Sequence, residues 1–141
     1  MTTVPFSGRL DLTVATLLVA ERHTSLANRS VTLADLAADV LELVDDLDVA
    51  AEDMGGLRGF EAAVESALEA LIGAGWVRSR NYRGVIRHVT TELGEDALEW
   101  VRTRFADDPA RLHAFDELHD DVTEMVLERF GESLRDEPAV S

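Results

Sequence analysis

Apolar residues recur three and four positions apart in five stretches of the chain. This spacing places them on one face of an α-helix and leaves the polar residues on the other face. The pattern therefore predicts five amphipathic helices, over residues 10–23, 33–47, 57–73, 92–105 and 109–135. The last is the longest, because its apolar stripe continues for about seven turns after a break at Asp107-Asp108-Pro109.

The second predicted helix begins with a capping box and carries its acids on one side. Thr32 is followed three residues later by Asp35, the pairing that satisfies free N–H groups at a helix start. Ser30-Val31, just before it, is typical of a strand with a single bridge. The acids opposite the apolar side are expected to face solvent and to avoid DNA: Asp35, Asp39, Glu42, Asp45 and Asp46.

The segment between the third and fourth helices is typical of a β-hairpin. Gly73 and Gly75 end the third helix. Residues 76–80 and 85–90 are rich in β-forming side chains and flank a polar turn at Asn81-Tyr82-Arg83-Gly84. The chain is therefore predicted to be mainly α with a small β-hairpin.

The distribution of charge singles out this hairpin. All 13 basic residues are arginine, against 28 acids, which gives a net charge of −15 and a pI near 4.4. Residues 70–91 hold Arg78, Arg80, Arg83 and Arg87 and no acid, whereas the rest of the chain holds the other nine arginines and all 28 acids. An island of about +4 thus lies in a body of about −19. Such clustering favours an anionic ligand such as phosphate.

Two explanations of the acidic composition stay open. A genome rich in G and C writes arginine codons in place of lysine, and a salt-rich cytoplasm selects acidic surfaces that keep proteins hydrated. We favour the second explanation, a halophilic protein. At molar salt the Debye length is only about 3 Å, so distant acids cease to repel DNA while local arginines can still touch its phosphates.

Several classes of function lack their signatures in this sequence. The absence of cysteine excludes disulfides, thiolate zinc sites and thiol nucleophiles. A secretory signal and a run of about 18 apolar residues are both missing, which predicts a soluble, cytoplasmic protein. No catalytic triad, phosphate-binding glycine loop or paired-carboxylate motif stands out, so we predict neither enzymatic activity nor a cofactor.

Four polar side chains of the last helix have a spacing that could bridge a divalent ion. His113, Asp116, Glu117 and Asp120 lie on one helical face. A helix with this many acids produces such spacings by chance, and nothing in the sequence fixes the arrangement. We therefore predict no metal site.

The order helix, short strand, helix, helix, hairpin, helix is that of a winged helix-turn-helix. Gly75-Trp76-Val77, the basic hairpin and the segment Val89-Thr90-Thr91-Glu92-Leu93-Gly94 resemble the wing and the L-T-x-x-G start of the following helix in PadR-type transcriptional regulators, with MarR-type regulators as the second choice. The resemblance covers about residues 10 to 105. It implies a winged-helix DNA-binding domain over 10–106, after a flexible N-terminal arm over 1–9.

The rest of the chain is predicted to form a C-terminal dimerisation helix over 107–136 and a tail over 137–141. Regulators that this chain resembles use such a helix for a two-fold dimer, in which two wings span a palindrome. The expected dimer interface consists of Leu112, Phe115, Leu118, Val122, Met125 and Val126. The alternative is that this helix folds back on its own domain.

The sequence assigns DNA contacts to two elements. In the wing, guanidinium groups suit phosphate oxygens and a narrow minor groove. The wing set is Arg78, Arg80, Tyr82, Arg83, Arg87 and His88. In the third helix, Glu61, Glu65 and Glu69 would be repelled by phosphates, so the helix enters DNA with its N-terminal end. Its base-facing row is Arg58, Ala62 and Ser66.

Alternatives to these contacts stay open. The wing arginines could pair with surface acids, and the third helix could serve only as a scaffold. Arg22, His23 and Arg29 flank the loop before the second helix, where they either hold phosphates or are ordinary solvated charges. The sequence therefore predicts a homodimeric, sequence-specific transcriptional regulator of double-stranded DNA. The rival is an acidic winged-helix module that binds a protein or mimics DNA. A small-molecule effector is not identified.

Overall fold

A computed structural model describes residues 10–43 and 56–135, and the side chains of 10–43 and 59–129. This part of the chain forms five helices and one hairpin: α1 (Leu12–Ser25), α2 (Leu33–Glu42), α3 (Gly56–Gly73), β1 (Val77–Tyr82), β2 (Val85–Thr90), α4 (Glu92–Arg104) and α5 (Pro109–Arg135). The predicted fold class and element order are confirmed. The arm, the tail, Asp45 and Asp46 lie outside the described residues.

Capping residues determine where the first helices begin and end. Asp11 caps α1 by accepting hydrogen bonds from the N–H groups of Thr13 and Val14. Thr32 Oγ1 accepts from the N–H of Asp35, 3.2 Å away, as the capping box predicts. The prediction extended the second helix to residue 47, but α2 ends at Glu42. The N–H of Leu43 bonds to the carbonyl of Val40, three residues back, which tightens and closes the last turn.

Helix α1 lies at the centre of the fold. The sequence predicted one buried stripe, but every residue from Val14 to Glu21 is buried. The reason is that α1 contacts all the other helices and β2. Since a helix surrounded in this way must be apolar on every side, the run Leu17-Leu18-Val19-Ala20 supplies the middle of the core.

The hairpin pairs in the register Val77 with Thr90 through Tyr82 with Val85. Its turn is shorter than predicted: only Arg83 and Gly84 lie outside the strands, with φ of 53° and 86°. Positive φ at both central residues is the signature of a type I′ turn, whose twist matches that of the strands. Val31 forms a single bridge with His88 beside this hairpin, so the short strand predicted at Ser30-Val31 is confirmed.

Helix α4 is joined tightly to the start of the hairpin. Thr91 caps it, since Thr91 Oγ1 accepts from the N–H of Gly94 and donates to the carbonyl of Gly75. Gly94 is buried directly against the carbonyl of Trp76. The segment from Thr90 to Gly94 therefore anchors α4 to Gly75 and Trp76, just before strand β1.

Helix α5 packs on α1 within the same chain. Its predicted bounds are confirmed, but the stripe assigned to a dimer is covered internally: Phe115, Leu118, Val122 and Val126 are buried in the core. Leu112 and Met125 are partly buried against that core. This packing favours the alternative in which the helix folds back on its own domain, because four of the six interface residues are already occupied. Dimerisation itself stays a prediction.

No helix within residues 10–43 and 56–135 combines the length and the apolar character needed to cross a membrane.

Candidate nucleic-acid interface

Strand alternation sorts the hairpin side chains onto two faces. Side chains two residues apart share a face, and directly opposed residues of paired strands share it too. Val77, His88 and Thr90 are buried and turn toward the helices. The opposite side, called here the arginine face, consists of Arg78, Arg80, Tyr82, Val85, Arg87 and Val89. Arg80 stands directly across from Arg87.

The arginines of the hairpin have no carboxylate partner among the described residues. Arg78, Arg80 and Arg83 are exposed, and none forms an ion pair with any carboxylate in the described part of the chain. Arg87 is half-buried and is held by Ser30: its Nε donates to Ser30 Oγ at 2.7 Å and its Nη2 to the Ser30 carbonyl at 2.8 Å. The whole island therefore keeps its positive charge unpaired with acids from residues 10–43 and 59–129.

Arginines elsewhere behave differently. Outside the hairpin, every arginine with a described side chain except Arg104 pairs with a carboxylate: Arg22, Arg29, Arg102, Arg111 and Arg129. Arg104 lies over the ring of Trp100 instead, 4.7 Å from its centroid. The contrast separates the hairpin arginines from the ordinary surface charges of this chain.

A basic groove of about 490 Å³ lies between the arginine face and the loop after α1. Its polar walls are formed by Asn28, Arg29, Ser30, Arg78, Arg80 and Arg87, with Tyr82 and Val89 as apolar surface. Among the described residues, no carboxylate lines it. The carboxylate of Asp35 lies close to one groove residue, since its Oδ2 is 4.0 Å from Arg29 Nη2. The groove therefore offers guanidinium donors beside an aromatic ring.

His88 does not belong to the exposed set, contrary to the sequence assignment. Its side chain is buried on the face opposite the arginines, and its Nδ1 lies 2.8 Å from Ser79 Oγ in a hydrogen bond. Burial lowers the pKa of His88, so the imidazole stays neutral near pH 7. It is a core residue that a ligand on the arginine face cannot reach.

The tip of the hairpin combines charge and apolar surface. Tyr82 is 59% exposed, and the guanidinium carbon of Arg83 lies 5.5 Å from the centroid of its ring. Val85 and Ile86 are exposed beside them. Such a tip can enter a groove of DNA and contact sugars with its apolar atoms while its guanidinium approaches phosphate.

The outer face of α3 is acidic. Glu61, Glu65 and Glu69 are exposed, as are Ala62 and Ser66 of the expected base-facing row. The side chain of Arg58 lies outside the described residues. The structure therefore leaves a row of three carboxylates on the helix that a winged-helix protein would present to the major groove.

The sequence predicted that Asp39 faces solvent, but its side chain is fully buried. Its Oδ2 accepts from Nε2 of the buried His23 at 2.9 Å, and its Oδ1 accepts from Arg129. Arg129 also reaches Glu42, 3.3 Å away. Hydrogen bonds from the imidazole of His23 and from the guanidinium of Arg129 explain why the carboxylate tolerates burial, and the cluster joins α1, α2 and α5. His23 is thereby removed from the candidate phosphate contacts.

Arg29, by contrast, gains importance. The sequence allowed two interpretations of Arg29, a phosphate contact or an ordinary solvated charge. The structure places it in the wall of the basic groove with Asn28 and Ser30. The signal that could have found this wall is the Ser30-Val31 strand itself. A bridge to the hairpin brings the preceding loop alongside β2.

The polar residues considered for a metal have other partners. Asp116 accepts two hydrogen bonds from Arg102, whose guanidinium lowers the pKa of this carboxyl. His113 lies 3.0 Å from Glu117. Within the described residues, no three ligating side chains converge on one point.

The arrangement as a whole is compatible with a winged-helix layout, because a two-stranded antiparallel hairpin follows the third helix and a bridge from Val31 extends it. In comparisons with protein-family models, curated proteins and solved structures, nothing matches the chain.

Proposed function

We propose that this protein is a DNA-binding transcriptional regulator, of the PadR-like winged-helix type, that grips duplex DNA with its hairpin arginines. One observation carries the proposal. The chain has 28 acids, and five of the six described arginine side chains outside the hairpin pair with a carboxylate, whereas Arg78, Arg80 and Arg83 are all exposed and pair with none of the described acids. Guanidinium groups clustered without acids suit the phosphate oxygens and the negative potential of DNA.

The hairpin and α3 have different roles in this proposal. The exposed glutamates of α3 repel phosphates, so the helix approaches the major groove with its N-terminal end. It turns toward the bases the row of Ala62 and Ser66, which lies about 100° around the helix axis from Glu61 and Glu65. The hairpin supplies most of the affinity, and the helix adds base selection. Because the α5 stripe is occupied within the chain, a dimer that spans a palindrome would use another surface.

Removing charge from the wing is expected to abolish DNA binding without unfolding the hairpin. The double variant Arg78→Gln with Arg83→Asn should lower affinity for genomic DNA fragments about 100-fold or more, since each lost charge-assisted hydrogen bond is worth about 1.5–3 kcal/mol. Asparagine suits position 83 because it adopts the left-handed conformation of this turn more readily than arginine does. Gel retardation and fluorescence anisotropy measure the effect.

A charge-matched control uses Arg104→Gln with Arg111→Gln, which removes two positive charges from exposed helical sites. This control should bind fragments as the unmodified protein does. The molecular mass in solution, from light scattering, should be the same for all three proteins. Equal losses in both double variants would show that net charge, and not the wing, determines binding.

At low ionic strength, the affinity for DNA is expected to rise as salt is added, the opposite of the usual behaviour of DNA-binding proteins. At about 0.01 M salt the Debye length is about 30 Å, so DNA is repelled by the whole anionic body. At about 1 M it is about 3 Å, and only the contacts of the wing remain. Anisotropy titrations in potassium chloride should show affinity rising before it falls. A steady fall from the lowest salt, as in most DNA-binding proteins, would contradict this account.

The exposed Glu61, Glu65 and Glu69 support a second candidate function, an acidic module that docks a basic protein or mimics DNA. Their spacing places three carboxylates along one side of α3 without a described arginine partner. Sequencing of fragments captured by the tagged protein separates the two functions. If no fragment is enriched at any ionic strength from low to molar, the second candidate replaces the first.

A further inference from the structure

The basic groove contains an electrostatic conflict that an anion would resolve. Arg80 and Arg87 stand directly opposite each other on one face of the hairpin. Like charges in this relation destabilise a strand pair. Arg78 and Arg29 line the same groove, and no carboxylate from the described part of the chain does. A dianionic group seated between these side chains would convert the repulsion into charge-assisted hydrogen bonds.

Part of this charge is already in place before a ligand arrives. The two hydrogen bonds to Ser30 fix the guanidinium of Arg87, and Arg29 is half-buried beside it. Groups held in position lose little conformational entropy on binding, which favours recognition of a small ligand. The exposed Arg78 and Arg80 can then close on the anion from the other wall.

An aromatic surface adjoins the guanidinium groups. Tyr82 follows Arg80 by two residues on the same strand face, about 7 Å along the strand. Its ring and the side chain of Val89 are the apolar surface of the groove. A planar ring can stack on tyrosine while a phosphate attached to it reaches the arginines.

We propose that the basic groove binds a nucleoside phosphate. Its volume of about 490 Å³ lies in the range of small-molecule pockets, about 300–1,000 Å³. The groove lies between two walls, the loop after α1 and the arginine face, which suits a small ligand, whereas the backbone of a duplex fits projecting elements such as the hairpin tip. The groove shares Arg78 and Arg80 with the DNA-binding surface proposed above, but Arg83, at the hairpin tip, does not line it, so the two functions can be tested separately.

Adenosine 5′-monophosphate is a suitable probe, with ribose 5-phosphate as the phosphate without a base and adenosine as the base without a phosphate. Calorimetric titration at molar potassium chloride should show AMP binding about tenfold or more tighter than either fragment. The chain contains a single tyrosine, so the ring resonances of Tyr82 in a tyrosine-labelled sample report on this groove alone. They should shift on addition of AMP.

Variants locate the two halves of the site. Arg80→Gln should lower the affinity for AMP and for ribose 5-phosphate about tenfold. Tyr82→Ala should lower the affinity for AMP to that for ribose 5-phosphate. Arg104→Gln, which removes an exposed arginine outside the groove, should change neither. Arg83→Asn should lower the affinity for DNA and leave the affinity for AMP unchanged. The two proposed functions can therefore fail separately, and the experiment shows which of them has failed.

Three results would overturn the proposal. The first is the absence of both heat and a Tyr82 shift with AMP. The second is an equal loss in Arg80→Gln and Arg104→Gln, which would mean that only net charge matters. The third is equal binding of AMP and ribose 5-phosphate, which would mean that the base is not recognised.

Discussion

Replacing Asp39 with alanine is expected to destabilise the folded protein by about 3–5 kcal/mol. The carboxylate is completely buried and accepts hydrogen bonds from His23 and Arg129. Its removal leaves the buried His23 Nε2–H without its acceptor and Arg129 without its buried partner. Because the three side chains come from three different helices, the loss loosens the packing of α5 as well as that of α2. Equilibrium unfolding in urea measures the change.

Asp35→Ala is the matched control for this substitution. Asp35 lies on the same helix, one turn earlier, and its side chain is 50% exposed, 4.0 Å from Arg29. Exposed pairs of this kind contribute about 0–1 kcal/mol. The control should therefore cost less than about 1 kcal/mol, and equal effects of the two substitutions would refute the structural role assigned to the buried cluster.

Gly94→Ala is expected to destabilise the protein by about 3 kcal/mol, although alanine normally improves a helix. A Cβ atom at position 94 would lie 2.2 Å from the carbonyl oxygen of Trp76 and 2.5 Å from Thr90 Cγ2. Real Cβ atoms do not approach backbone oxygen so closely. Either α4 or the start of the hairpin must move, and the hydrogen bonds of Thr91 to both would be strained.

Gly73→Ala provides the opposite result in the same kind of element. Gly73 ends α3, and a Cβ atom there would have nothing within 4 Å. The substitution should be neutral or stabilise the protein by up to about 1 kcal/mol, because it restricts the unfolded chain. Thermal unfolding of the two alanine variants gives the comparison. A similar, small effect at both positions would show that the contact with Trp76 does not constrain the fold.

Local chemistry explains what the sequence could predict. The capping threonine at position 32 and the break before Pro109 are encoded in neighbouring residues, so the helix starts they mark were found from sequence. The hairpin was found for the same reason. Its turn came out shorter than predicted because Arg83, a residue that seldom adopts positive φ, takes the place usually given to asparagine or glycine.

Tertiary packing explains what the sequence could not predict. An amphipathic stripe shows that α5 must be covered but not by what, and here α1 of the same chain covers it. Asp39 borders the apolar side of α2, so the sequence of α2 does not determine whether its side chain is exposed or buried. Its burial depends on the hydrogen bonds from His23 and Arg129, which lie on other helices. His88 could have been excluded by strand alternation, since it lies on the face opposite Arg87.

The groove shows the same division at the level of the site. The arginines of the hairpin were evident from charge alone, whereas the wall formed by Asn28, Arg29 and Ser30 depends on how a loop lies beside β2. That placement requires the register of the Val31 bridge, which no local pattern specifies.

The central position of α1 has a consequence for how the chain is made. Its apolar sides are completed only when Phe115, Leu118 and Val122 arrive from the opposite end of the sequence. A ribosome adds about 5–20 residues per second, so the first helix to emerge waits several seconds for the last. Until then the apolar side of α1 that α5 covers lacks this cover, and a fragment that stops before α5 would leave that hydrophobic surface exposed and prone to aggregation.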